Sequence, residues 1–198
     1  MTAEELAARC LVDTDTRALP VDVMRILRYR DGTLLCTPDR ARAMGARAED
    51  LAVLTPAVPA ASFDLRTDHG PLRIICWLPD SSPARLRMTL AHELGHILWN
   101  HHPRGPGVRR SGPEERSADA FARALIAPPC LLRRLRGRVD SVRALAWVFG
   151  LSTGEAAALF ARRFVRDEGP ETALDPALEA AVTGRLLPAA LARLPARR

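Results

Sequence analysis

A chain of 198 residues, 47% hydrophobic and 26% charged, has the composition of a globular protein with one sizeable core and excludes a disordered or fibrous polypeptide. The net charge of +6 comes wholly from arginine, since lysine is absent, and genome composition explains that bias as readily as a nucleic-acid partner does. Cys10, Cys36, Cys76 and Cys130 are scattered with no CxxC pair, which excludes a disulfide scaffold and points to reduced, buried thiols. No stretch reaches the roughly 18 to 20 apolar residues of a membrane span, and the acidic start Thr2-Ala3-Glu4-Glu5 lacks an export pattern. A cytoplasmic location without a membrane partner is expected.

Taken in order, Thr2 to Cys10 reads as a short helix, and Pro20 to Arg28 as a second, with Pro20 in its first turn and Val23, Ile26 and Leu27 on its apolar face. Asp31-Gly32 is a turn, Thr33 to Cys36 a short strand, and Pro38 to Gly45 a helical turn. Leu51 to Val58 and Ala60 to Arg66 read as strands broken by Pro56 and Pro59. Asp68-His69-Gly70 signals a hairpin turn, and Leu72 to Leu78, β-branched and apolar, is the best strand in the chain, stopped by Pro79. Ser81-Ser82-Pro83 combines a serine cap with proline at the first helical position, so a helix should run from about Pro83 to near Asn100.

Pro103 to Gly112 reads as a surface loop. Ser111-Gly112-Pro113 then opens a helix through Glu114 to Ile126, closed by Pro128-Pro129. Short helices follow at about Cys130 to Arg136, Ser141 to Phe149, Thr153 to Arg166 and Pro176 to Leu187, with Leu186 to Arg198 expected to fray.

The stretch that carries chemistry is Leu90-Ala91-His92-Glu93-Leu94-Gly95-His96, an HExxH signature at helical spacing. Residues four apart share a helix face, so His92 and His96 can offer imidazole nitrogens to one metal ion with Glu93 beside it. Two imidazoles and a third protein ligand leave one tetrahedral position for water, whose proton a nearby carboxylate can take. HExxH alone is a weak signal, and its context must supply the third ligand. Glu115 lies 19 residues after His96 on the next expected helix, with Asp119 one turn further on the same face. Glu114 competes with it but lacks such a partner. The ExxxD spacing resembles the gluzincin peptidases, in which a glutamate on the following helix completes the metal site and an aspartate one turn on hydrogen-bonds a ligating histidine.

Ala91-His92-Glu93-Leu94-Gly95-His96, followed by Glu115-Arg116-Ser117-Ala118-Asp119-Ala120-Phe121-Ala122 and Leu125-Ile126-Ala127-Pro128, resembles the ImmA/IrrE family of metallopeptidases, over roughly residues 20 to 165. Asp119 stands where that family usually has asparagine, and Asn100 where the metal helix often carries a further histidine. The resemblance implies a zinc (Zn2+) endopeptidase, with His92, His96 and Glu115 as metal ligands, Glu93 as general base and Asp119 supporting a histidine. It also implies a substrate, a helix-turn-helix transcriptional repressor or antitoxin encoded nearby.

The expected fold is α+β, a zincin-like metallopeptidase core with a small mixed sheet packed on the HExxH helix, followed by a C-terminal helical region. Its expected division is 1–128 for the core and 129–198 for helices packed on it. A substrate strand would add along the edge of Leu72 to Leu78 if that strand is outermost. His101, His102, Tyr29 and the arginines between Pro103 and Arg110 are candidates for the oxyanion donor. A competing reading takes Val142 to Arg166 as a helix-turn-helix that binds DNA through Arg162, Arg163 and Arg166, or a repressor without cutting it; the alanine-rich second helix favours packing over DNA.

Overall fold

The computed structural model describes residues 1–68, 70–101, 112–165 and 174–194. Its elements are α1 (Ala3–Asp13), α2 (Val23–Arg28), β1 (Thr33–Cys36), α3 (Pro38–Ala43), α4 (Ala48–Leu51), β2 (Ala60–Thr67), β3 (Gly70–Trp77), α5 (Pro83–Leu98), α6 (Gly112–Ile126), α7 (Pro129–Arg134), α8 (Val142–Phe149), α9 (Thr153–Phe160), a π-helical turn (Ala161–Val165) and α10 (Pro176–Arg193). The fold is α+β with one mixed three-stranded sheet. The chain forms two compact units, Val23–Ala122 and a second made of Met1–Asp22 with Arg123–Arg198.

In the unit Val23–Ala122 the sheet order is β1-β3-β2, with β1 parallel and β2 antiparallel to β3. Directly paired residues share a face, so parity along the strands sorts the side chains. Phe63 opposite Ile74 and Leu65 opposite Leu72 face one way, together with the Cys36–Cys76 pair, and this layer closes on Ala41 of α3 and Leu51 of α4. Full burial of such side chains contributes about 1.5–3 kcal/mol each. Ser62 opposite Ile75 faces the other way, toward α5, which packs on β2 and on α2.

The unit of Met1–Asp22 and Arg123–Arg198 is helical. Helix α10 packs on α1, α7 and α8, and α8 on α9. Ser141 caps α8 by accepting from Ala144 N at 3.2 Å, and Gly150 ends it in the left-handed conformation, φ 65°. Arg133 pairs with Glu179 at 2.5 Å, and the Arg193 guanidinium lies 4.8 Å from the Trp147 ring centroid.

Several sequence expectations change. The second helix begins at Val23, not Pro20. Leu51 to Val58 is no strand: Leu51 is the last residue of α4, whose start closes on itself where Asp50 accepts from Arg47 N at 3.3 Å and from its guanidinium at 3.1 Å, and beyond it Thr55 and Val58 make an isolated bridge. Strand β3 lies in the middle of the sheet with partners on both sides, so a substrate cannot add to it. Ser82 precedes α5 without a side-chain capping bond, and Pro83 alone marks the start. Helix α10 continues to Arg193 through Pro188, past the expected end at Leu187. The four cysteines are buried thiols, none of them in a disulfide. The loop expected over Pro103 to Gly112 lies outside the described residues up to 111, as do His69, His102, Arg166 and residues 195–198.

Candidate metal centre

Helix α5 is amphipathic, with Leu86, Leu90, Ala91 and Leu94 buried, and its 3.6-residue period brings His92 and His96 to one side. Their Nε2 atoms stand 2.9 Å apart. Helix α6 delivers the third donor. Its stripe of Ala118, Phe121, Ala122 and Leu125 is buried, and the approach to α5 is close because Gly95 has no side chain: a Cβ there would stand 3.0 Å from the Phe121 ring and 3.1 Å from Ala118 Cα. That proximity places Glu115 Oε2 3.3 Å from His92 Nε2 and Oε1 3.4 Å from His96 Nε2.

These donors fit a metal ion. In a tetrahedral site with ligand bonds of about 2.0–2.1 Å, donors lie about 3.3 Å apart, and the three separations run from 2.9 to 3.4 Å. Among the described residues, His92, His96 and Glu115 form the one cluster of three such donors, with ligand atoms all within 4.8 Å of one another; Glu114 is not in it. Asp119 lies 2.8 Å from His92 Nδ1. A carboxylate there fixes the proton on Nδ1 and turns a bare Nε2 toward Glu115 and His96. The donor set is nitrogen and oxygen, which suits zinc and also other divalent ions.

Exposure is graded across the centre. The His96 side chain is fully buried, that of His92 is 18% exposed and that of Glu115 44%. Glu93, one position round the helix from His92, is buried, and its Oε2 accepts a hydrogen bond from Ser62 Oγ on β2 at 2.5 Å. Sequence reasoning did not single out Ser62. Only its parity, opposite to Phe63 and Leu65 on the same strand, separates it from the apolar layer. Of the oxyanion candidates, Tyr29 is 79% exposed, while His101 touches His96, Nδ1 to Nδ1, at 3.0 Å.

Helix-borne histidines in HExxH spacing, a glutamate from the next helix and a small mixed sheet make a candidate divalent-ion site beside a buried carboxylate. Residues 47–159, more than half the chain, match the model of the IrrE N-terminal-like domain, a peptidase family, and the chain belongs to that family. No curated protein matches the chain. Family and donor set together point to metallopeptidase chemistry on a protein substrate.

Proposed function

We propose that this protein is a zinc-dependent endopeptidase with a zincin-like core, in which His92, His96 and Glu115 hold the ion and Glu93 is the general base. The observation that carries the reading is the convergence of two Nε2 atoms and one carboxylate at tetrahedral separations, in a chain of a peptidase family. When bound, zinc supplies Lewis acidity toward the attacking water and the scissile carbonyl. Glu93 takes the proton of that water and returns it to the leaving amine. Ser62, donating to Oε2, limits rotation of the carboxylate, and Asp119 keeps His92 in its ligand tautomer. Strand β2 is an outer strand beside α5, so an extended substrate segment pairs there rather than on β3.

The substrate in this reading is a helix-turn-helix repressor or antitoxin encoded nearby, in the cytoplasm; the support for it is the family resemblance. Incubating the zinc-loaded protein with that repressor should yield a fragment whose appearance a chelator prevents. An intact repressor that nonetheless binds the protein would favour the alternative, a regulator acting without cleavage. One observation favours that alternative: Val142–Phe149 and Thr153–Val165 bend by 116°, within the helix-turn-helix range of about 90–120°. Its chemistry is poor for DNA. Thr153, Gly154, Ala157 and Ala158 supply the exposed face of α9, and Arg163 is largely buried, 3.8 Å from Glu4. No single described helix is long and apolar enough to cross a membrane.

A further inference from the structure

Helix α5 ends with Asn100 in the left-handed region, φ 55°. The N–H of Asn100 donates to Ile97 O at 3.0 Å and the N–H of His101 to His96 O at 2.8 Å, the double bond of a left-handed helix terminus. Asparagine is among the few residues with a side chain that enter this region routinely. In such a terminus the residue after the left-handed one packs back over the third-last residue of the helix, usually through an apolar contact. Here those two residues are His101 and His96, and they meet through Nδ1 atoms 3.0 Å apart, with the His101 ring stacked beside Trp99.

One proton bridges two such nitrogens. If His101 carries it, a neutral His96 must hold its own proton on Nε2 and cannot bind a metal. If His96 carries it, His96 Nε2 is bare and faces His92 Nε2 and Glu115, as a ligand must. His96 is fully buried, so its Nδ1–H depends on protein acceptors rather than water.

We infer that His101 is a positioning residue for the metal centre: it accepts from His96 Nδ1–H, holding that ligand in its binding tautomer as Asp119 holds His92. This rests on the zinc reading of the site. His92 is backed by a carboxylate and His96 by a neutral imidazole, which carries its own proton on Nε2. His101 acts through His96.

The test is zinc affinity of the full chain, measured by competition with a chromophoric chelator at fixed pH, for the parent, His101→Leu and His101→Asn. Leucine keeps apolar bulk beside Trp99 but removes the acceptor, and should weaken zinc about 10–100-fold. Asparagine places Oδ1 where Nδ1 was and should stay within about threefold of the parent, the accepting bond being preserved. Equal affinity in the parent and His101→Leu overturns the inference, and so does a loss in His101→Asn as large as in His101→Leu. A parent that binds no zinc overturns the metal reading beneath it. Should either variant unfold, long-range nitrogen–proton NMR of the zinc-loaded parent decides: His96 protonated at Nδ1 and His101 at Nε2 supports the assignment, and a proton on His101 Nδ1 overturns it.

Discussion

On one face of the β2–β3 pair, Phe63, Leu65, Ile74 and Cys76 close against Ala41 and Leu51; on the other, Ser62 reaches Glu93 of the metal helix. The same two strands build both, and parity alone divides them. A polar group on the first face would be an unpaired burial, whereas Ser62 on the second has a carboxylate to bond. Core and candidate site are therefore separable by substitution, although they lie one residue apart in the chain.

Breaking the site side gives the largest effect. Glu93→Gln should retain zinc while cleavage of the repressor falls by about 10²–10⁴-fold, the range expected for a lost general base; a variant as active as the parent would sink the proposed mechanism. Breaking the core side should do the reverse. Phe63→Ala is expected to lower stability by about 3–5 kcal/mol in urea unfolding, while zinc affinity in the folded protein changes little. A loss of zinc as large as the loss of stability would mean that the two faces are not independent.

A finer cut is Ser62→Ala, which removes a hydrogen bond to a charged acceptor. Such bonds contribute about 1.5–3 kcal/mol, so turnover should drop roughly tenfold or more with zinc affinity unchanged, and threonine should restore it. No change in turnover would leave Ser62 as packing. The smallest expected effect at neutral pH belongs to the Cys76 thiol of the apolar face. Burial pushes the Cys76 thiol from 9.0 up to about 12, with Cys36 beside it adding to the rise. The unfolded chain then releases this proton first, so the stabilising contribution is complete below pH 9 and is lost as pH climbs toward 12. The urea midpoint should be level from neutrality to about pH 9 and fall beyond it, less steeply in Cys76→Ala; equal slopes would show that other groups govern the alkaline limb.

What could be read from the sequence was what helical periodicity and local chemistry encode. The i, i+4 histidines, the ExxxD pair one helix later and the strand before Pro79 needed no coordinates. Contacts across the sheet were hidden. Ser62 meets Glu93 over 31 residues of sequence, and no local pattern marks a serine as facing a carboxylate. The position of β3 in the sheet order depended on the parallel partner β1, only four residues long, whose pairing no turn signal announces. Leu51 to Val58 misled because its first residue closes α4, begun at Ala48 where Asp50 folds back on Arg47, and the rest of its apolar run turns at Pro56 between the bridged Thr55 and Val58. Helix α1 packs on α10, at the far end of the chain, and nothing in either segment names the other. His101 was visible as a residue near the site, but the backbone turn at Asn100 that aims it at His96 was not.

The graded exposure of the centre has a consequence for how the protein is loaded. Two of its three donors ride on α5, whose buried side packs through Leu90, Ala91 and Leu94, while Glu115 is nearly half open to solvent. The candidate centre thus rests on a helix with its own apolar packing, unlike small zinc-dependent folds, in which chelation is denaturation. On the proposed zinc reading, removing the ion should leave a folded, reloadable apoprotein whose activity returns with added metal.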